Sequence, residues 1–192
     1  MLHLPYRLIL CSASPRRQLL LKELNFDFEI RKKDVDESFP DHLKAEQIAL
    51  YLALQKAKAF EPEIYSDELM ITADTIVWIN NHVLNKPADR ADAMKMLKKL
   101  SGNVHEVYTG VCLFTKEKKK LFFVMTKVFF KKLSQEEIEY YIDQHAPYDK
   151  AGAYGAQDFI GMIGVEKIEG SFYNVMGLPM KELYEELKHF DD

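Results

Sequence analysis

Residues 8–26 read LILCSASPRRQLLLKELNF, and this stretch sets how the chain begins to fold. Leu8 to Leu10 form a short apolar run that is typical of a buried strand, and the leucines between Leu19 and Leu24 supply the apolar face of a helix. Between these runs, Ser14 has the chemistry of a helix N-cap and Pro15 that of a first helical residue. The stretch therefore predicts a strand, a tight turn and a helix.

Two arginines, Arg16 and Arg17, fall in the first turn of this predicted helix. A cation at a helix N-terminus costs roughly 0.3–1 kcal/mol, because the unpaired N–H groups there are already positive. The arginines are explained if an anion occupies the turn, where the hydroxyls of Ser12 and Ser14 and the backbone amides suit a phosphate chain. The alternative is that both arginines face solvent or pair with nearby carboxylates. No GxxxxGK[ST] sequence occurs, so the turn is not a Walker A loop.

Length and composition limit the classes of protein to consider. The chain has 192 residues, 47% of them hydrophobic, which is enough for one globular domain spanning residues 1–192. Its net charge of −4 argues against binding to a nucleic-acid polymer. Cys11 and Cys112 lie in apolar runs without a CxxC pair, which favours a reducing cytoplasm. No stretch is long and apolar enough to predict an export signal or a membrane span.

Helical and strand patterns alternate along the chain. Residues 68–79 read as a central strand, and residues 105–130 read as a long hairpin with a charged turn. Helices are predicted over 43–60, 90–100, 135–145 and 178–190, and further strands over 82–85 and 163–168. Residues 26–38 are predicted to form an edge strand that runs into a charged loop. Because hairpins are mixed with helical crossovers, the pattern predicts an α/β fold with a mixed β-sheet and flanking helices.

Asp74 interrupts the apolar strand ELMITADTIVWI. A buried carboxylate is costly unless it is hydrogen-bonded, paired or bound to a metal, and burial would raise its pKa toward the range that suits a general base. The alternative is a structural role in which Asp74 pairs with Lys56 or Lys86. Such a pair would not exclude catalysis.

Several other polar residues have both a functional and an ordinary interpretation. Lys86 lies at a strand end beside a proline that would hold its ammonium in place for a phosphate, although such a residue is more often part of a surface loop. Glu37 and Lys56 are equally ambiguous, since acidic loops and helix lysines usually face water. His105 has no partner motif and is interpreted as structural. Gln157 follows closely spaced glycines, and its amide suits the edge of a nucleobase, but a turn residue bonded to local backbone is the simpler interpretation.

Nine sequence blocks occur in an order that resembles the Maf family, and together they cover nearly the whole chain: SASPRR, DVDES, LQKAKA, ADTIV, NKP, LSGNVHEVYTGV, TKVFFKKLS, DKAGAYGAQ and IEGSFYNVMGLP. The resemblance implies an elongated α/β structure with two lobes around a central cleft, like that of inosine triphosphatases. It implies a nucleoside triphosphate pyrophosphatase that uses Mg²⁺ or Mn²⁺, in a family whose members were also named as inhibitors of septum formation. It also implies a homodimer.

The resemblance assigns roles by position. Asp74 matches the proton acceptor, and Lys86 would act with Arg16 and Arg17 on the leaving pyrophosphate. Glu37 and Asp74 are the candidate metal ligands. Outside the catalytic residues Asp74 and Lys86, three residues match positions that govern substrate choice: Arg16, Thr75 and Gln157. The remaining matches in the polar pocket are Ser12, Arg17, Glu37 and Lys56.

The late block KAGAYGAQ resembles the branch of the family that prefers dTTP and UTP over 7-methyl-GTP. The chain departs from the family pattern at Ala156 and Asp158, which flank Gln157 where Ile and Gly are usual. These departures lie beside the residue expected to read the base. The alternative to an enzyme is a regulator of cell division that binds a nucleotide without turning it over.

Overall fold

The opening strand, turn and helix are present in the computed structural model, which describes Leu2 and residues 4–192. Strand β1 spans Arg7–Cys11 and helix α1 spans Pro15–Glu23. Ser14 is the N-cap and Pro15 opens the helix, as predicted. Asn25, just beyond the helix end, has a left-handed backbone (φ 54°), which is a common way to stop a helix.

The remaining elements follow in chain order. The strands are β2 (Phe28–Arg31), β3 (Glu68–Ile79), β4 (His82–Leu84), β5 (Val104–Phe114), β6 (Lys119–Phe130) and β7 (Val165–Glu169). The helices are α2 (Glu46–Phe60), α3 (Arg90–Leu100), α4 (Gln135–His145), α5 (Phe159–Gly164), α6 (Phe172–Met176) and α7 (Met180–Lys188). Short 3-10 turns occupy Glu61–Glu63 and Ala151–Ala153.

The strands form one seven-stranded sheet in the order β2-β1-β3-β5-β6-β7, with β4 paired to β3. Strand β1 is parallel to both β2 and β3, whereas β4 is antiparallel to β3 and β7 is antiparallel to β6. Strands β5 and β6 are neighbours joined by a turn in which Thr115 N donates to Lys118 O at 2.9 Å. The predicted α/β class, mixed sheet and hairpin are therefore confirmed.

The chain divides into two compact units. Unit 1 comprises residues 1–74, 109–124 and 177–192, and unit 2 comprises residues 75–108 and 125–176. In unit 1, α2 packs with β1, β3 and β5 around a core of Ile9, Cys11, Ala53, Ala57, Phe60, Ile64, Met70, Cys112 and Phe114. In unit 2, the core gathers residues of α3, α4 and the 151–160 segment, among them Leu97, Leu100, Phe130, Tyr141, Ile142, Tyr154 and Ile160.

A buried carboxylate ties the three parallel strands of unit 1 together. Glu68 at the start of β3 is fully buried and accepts hydrogen bonds from Arg7 on β1 and Arg31 on β2. Burial favours the neutral acid, but the bonds from Arg31 and the Tyr65 amide, with the charges of Arg31 and Arg7, outweigh it and lower the pKa of Glu68. The Glu68 side chain thus links β3 to both β1 and β2.

Two short helices were not predicted, and several boundaries differ from expectation by one to three residues. Helix α5 carries two glycines, Gly161 and Gly164, and glycine is a poor helix former. Gly161 allows a close approach here, since a Cβ at this position would lie 2.3 Å from the carbonyl oxygen of Ala156. Helix α6 has only five residues. Helix α2 begins at Glu46 rather than at residue 43, and β7 begins at Val165 rather than at residue 163.

Candidate active site

The β1–α1 turn is organised by its two serines. Ser12 Oγ accepts a hydrogen bond from Ser14 N at 3.2 Å, and Ser14 Oγ accepts one from Arg17 N at 3.5 Å. Gln18 Nε2 donates to Ser12 O at 3.2 Å, which closes the turn from the helix side. Ser12 is buried and Arg16 is half-buried in the first helical turn. Hydroxyls, a helix N-terminus and two guanidinium groups are therefore gathered in one part of unit 1.

Arg17 is held by the backbone of a distant segment of the same unit. Its Nε donates to the carbonyl oxygen of Gly177 at 2.7 Å. Loss of hydration lowers the pKa of Arg17, and the charge of Arg16 lowers it further, while Asp74 and Glu37 oppose both effects. A poorly hydrated guanidinium beside a second cation favours an anionic ligand, which would relieve both penalties.

Lys56 joins two carboxylates. Its ammonium Nζ donates to Asp74 Oδ1, and it donates to Glu37 Oε1 at 2.9 Å. Asp74 is buried and Lys56 is half-buried, whereas Glu37 is exposed. Lys56, one of the two lysines named as possible partners of Asp74, does pair with it. Lys56 compensates the charge of the buried carboxylate and orients it.

The position of Lys56 depends on how closely α2 packs on the sheet. A Cβ at Gly110 on β5 would lie 2.4 Å from the carbonyl oxygen of Ala49, so only glycine lets the helix approach this far. One helical turn later, Thr72 Oγ1 on β3 donates to Ala53 O at 2.8 Å. Ala49, Ala53 and Lys56 share one face of the helix. The same face that packs on the sheet therefore delivers the ammonium to Asp74.

The carboxylates of Glu37 and Asp74 fit a divalent cation that is bound together with the phosphates of a substrate. Glu37 and Asp74 converge on one cationic atom, Lys56 Nζ. Within residues 2 and 4–192, no group of three or more His, Cys, Asp or Glu side chains converges. Mg²⁺ is commonly bound through one or two carboxylates together with substrate phosphates, so a pair of carboxylates is the expected protein contribution.

The other predicted site residues belong to unit 2. Thr75 is half-buried on β3, and Lys86 is exposed just after β4. Asn85, next to Lys86, accepts a hydrogen bond through its carbonyl from Gly152 N at 3.1 Å, which ties this loop to the segment that carries Gln157. Gln157 Oε1 is buried and has no hydrogen-bond partner in the part of the chain that the structure describes. The simpler interpretation of Gln157, an amide bonded to local backbone, leaves that oxygen unexplained.

His105 is buried in unit 2 beside Tyr154. Its ring Nε2 lies 2.7 Å from the Tyr154 hydroxyl, and Phe130 stacks on the ring at a centroid distance of 5.4 Å. Burial lowers the pKa of His105 to about 3, so the imidazole is neutral at physiological pH and bonds Tyr154 as a neutral group. The structural interpretation of His105 agrees with this environment.

Three residues that shape the site were not identified from the sequence. Thr72 lies two residues before Asp74 and shares its side of β3, so its polarity in a buried strand was an available clue. The roles of Gly110 and the Gly177 carbonyl depend on long-range packing that no local pattern reveals.

Among the described residues, no helix has the length and apolar character needed to cross a membrane.

Comparison with known proteins adds independent information. The family described as Maf-like protein matches residues 7–190. A protein of Parabacteroides distasonis named dTTP/UTP pyrophosphatase is 56% identical over 96% of this chain and 96% of its own length. A protein of the same name from Flavobacterium johnsoniae is 52% identical over 95% of this chain and 94% of its own length. The solved structure of a dITP/XTP pyrophosphatase from Mycobacterium abscessus covers 65% of this chain and 72% of its own, with 15% identity and a TM-score of 0.41.

Proposed function

Because the chain belongs to the Maf-like protein family, we propose that it is a nucleoside triphosphate pyrophosphatase that converts dTTP and UTP to the monophosphate and pyrophosphate. The observation that carries this proposal is Asp74, a carboxylate buried in a central strand and held by Lys56. The names of the relatives from Parabacteroides distasonis and Flavobacterium johnsoniae support the choice of dTTP and UTP.

In the proposed reaction, Asp74 accepts a proton from the water that attacks the α-phosphorus. Lys56 keeps the carboxylate oriented through its bond to Oδ1. Arg16, Arg17 and Lys86 bind the leaving pyrophosphate and stabilise the charge that develops on it. The bond from Arg17 Nε to Gly177 O fixes the guanidinium plane before the nucleotide arrives, so less entropy is lost on binding.

We propose Mg²⁺ or Mn²⁺ as the cofactor, with Glu37 and Asp74 as its protein ligands. When bound, such an ion polarises phosphoryl oxygens and offsets their negative charge. Lys56 then has a second role, because its ammonium compensates both carboxylates when the cation is absent. This compensation accounts for a lysine that contacts two acidic groups.

Gln157 of unit 2 is the first candidate for base selection. Gln157 Oε1 can accept from the N3–H of uracil or thymine, and its amide nitrogen can donate to O4. Thr75 and Arg16 are the further candidates for substrate choice. A non-catalytic regulator of division is the less favoured alternative, because phosphate binding alone does not require a buried Asp74 with a dedicated lysine partner.

Three finer points belong to the same proposal. Cys11 and Cys112 are both buried free thiols, in keeping with a cytoplasmic location. We also propose a homodimer and an effect on septum formation, both on the family resemblance. Cross-linking at micromolar concentration tests the first, and cell length on overproduction tests the second.

The deciding experiment incubates the purified protein with UTP, dTTP, CTP and GTP in the presence of Mg²⁺ and separates the phosphate products. We expect pyrophosphate and monophosphate in equal amounts, fastest from UTP and dTTP. Nucleoside diphosphate and orthophosphate as first products would contradict the mechanism. Binding of the nucleotides without any product would favour the regulator.

A further inference from the structure

Asp158, which follows Gln157, is held by side chains from two other segments of unit 2. Tyr141 on α4 donates its hydroxyl to Asp158 Oδ2 at 2.9 Å. Lys150 Nζ lies 3.5 Å from the same oxygen and also bonds Asp149 Oδ1 at 2.8 Å. We call Tyr141, Lys150 and Asp158 the Asp158 clamp. Because Tyr141 is fully buried, the clamp anchors the Gln157 segment to the core of the unit.

The clamp closes a tight turn around Gln157. Asp158 N donates to Gly155 O at 3.1 Å, so Gln157 lies inside a turn whose two ends are hydrogen-bonded. The Asp158 carboxylate occupies the space that a side chain at residue 155 would need, since a Cβ there would lie 2.7 Å from Oδ2. The turn is thus built around this carboxylate, and residues 156 and 157 have little freedom to shift.

Gln157, which lies inside this turn, carries a buried acceptor that no described residue satisfies. Gln157 Oε1 has no hydrogen-bond partner among residues 2 and 4–192. A buried polar atom left unpaired costs free energy that a ligand N–H would recover. Uracil and thymine carry a hydrogen on N3, whereas the N3 of cytosine is an acceptor and would face Oε1 unfavourably.

We propose that the Asp158 clamp is a positioning element for base selection, which holds the Gln157 amide in the orientation that accepts from N3–H and so rejects cytosine. This inference rests on the proposed function, because it assumes that the ligand is a pyrimidine nucleotide. Tyr141, Lys150 and Asp158 act through Gln157 and do not contact the base. The family resemblance assigned them no role, and Asp158 stands where the family pattern has glycine.

The test compares Tyr141→Phe with Tyr140→Phe, which removes a hydroxyl from the neighbouring, 54% exposed residue of the same helix. For each variant, kcat/KM is measured with UTP and with CTP. Loss of one hydrogen bond in Tyr141→Phe should lower the UTP-to-CTP ratio by about 3- to 10-fold, mainly through KM, while Tyr140→Phe keeps the wild-type ratio. Asp158→Asn retains an acceptor for Tyr141 and should lower the ratio by only about 2-fold.

The same comparison in a Gln157→Ala background separates positioning from general stabilisation. If the clamp acts through Gln157, Tyr141→Phe should cause no further change in the ratio once Gln157 is removed. An equal loss with UTP and CTP, or a further drop in the Gln157→Ala background, would overturn the inference. Equilibrium binding of non-hydrolysable UTP and CTP analogues gives a ratio of Kd values that does not require turnover. The clamp can therefore be tested even if hydrolysis is not found.

Discussion

At the scale of single residues, the pair formed by Lys56 and Asp74 is both structural and suited to catalysis. A lone buried carboxylate would be strongly unfavourable, and the ammonium makes it tolerable. The same ammonium leaves Asp74 in a fixed orientation, which a general base requires. The predicted pairing of Asp74 with a lysine is therefore confirmed, and its role as proton acceptor stays a prediction.

Replacing Asp74 by Asn removes the proton acceptor but keeps an oxygen that can accept from Lys56. We expect turnover of UTP to fall by about 10²-fold or more, with the thermal unfolding midpoint little changed. The control is Asp143→Asn, the same chemical change at an exposed ion pair with Arg90, which should keep the wild-type rate. Near-normal activity of Asp74→Asn would make Asp74 purely structural.

His105 gives a prediction for stability against pH. Its pKa is about 3 in the folded protein, because burial disfavours the charged ring, and about 6.5 in the unfolded chain. Below pH 6.5 the unfolded chain takes up a proton that the folded protein does not. The contribution of His105 to the free energy of unfolding is therefore fully present above pH 6.5 and is lost progressively toward pH 3. Between pH 7 and pH 5 the loss amounts to about 2 kcal/mol.

Urea unfolding at the two pH values measures this loss. His105→Gln keeps an acceptor for the Tyr154 hydroxyl but cannot take up a proton, so its free energy of unfolding should fall less than that of the wild type by about 2 kcal/mol. His42→Gln, at an exposed histidine, should behave like the wild type. Equal pH dependence in all three proteins would mean that His105 is protonated in the folded state.

At the scale of secondary-structure elements, the packing of α2 controls the site. Gly110→Ala would place a methyl group 2.4 Å from the Ala49 carbonyl oxygen, so the helix must move outward. We expect a stability loss of about 1–3 kcal/mol and a lower kcat, because Lys56 moves with the helix. Val104→Ala, at a 47% exposed position of the same strand, should change neither quantity. Unchanged thermal unfolding of Gly110→Ala would contradict the close packing of α2.

Elements with strong local signals were predictable from the sequence. Helix α4 has both bonds of the capping box between Ser134 and Glu137, and Asp89 caps α3 by accepting from Asp92 N. Strand β3 has its predicted bounds, and the turn at Asn80 and Asn81 uses two left-handed residues, as a tight hairpin requires. In each case a few neighbouring residues determine the structure.

Features that depend on distant contacts were not predictable. Helix α5 contains two glycines, and a Cβ at Gly164 would lie 2.8 Å from the Phe130 ring of β6, a distant contact that no local pattern reveals. Glu68 appears as an ordinary strand residue, and only the pairing of β1, β2 and β3 brings Arg7 and Arg31 to it. Within the candidate site, the residue types at Asp74 and Lys56 were informative, whereas the Asp158 clamp joins segments 17 residues apart and required the fold.

At the scale of the whole molecule, the distribution of charge indicates how a nucleotide is attracted. A net charge of −4 repels a triphosphate at long range, although salt screens this repulsion beyond about 8–10 Å. If the proposed site is right, binding depends on short-range contacts with cations such as Arg16 and Arg17, which lie in the first turn of α1. The affinity should accordingly be sensitive to individual arginines rather than to total charge.

Thermal unfolding of the whole protein with a non-hydrolysable UTP analogue and Mg²⁺ tests this view. A ligand at about 100 times its Kd stabilises the folded state by about 2.7 kcal/mol, which raises the midpoint of a protein of this size by about 5–10 °C. Arg17→Ala should abolish most of that rise, because Arg17 is proposed to bind the phosphates and its guanidinium is already held by the Gly177 carbonyl. Arg90→Ala removes the same charge from an exposed ion pair with Asp143 and should keep the full rise. An equal reduction in both variants would mean that the nucleotide responds to overall charge and that the β1–α1 turn is not its phosphate site.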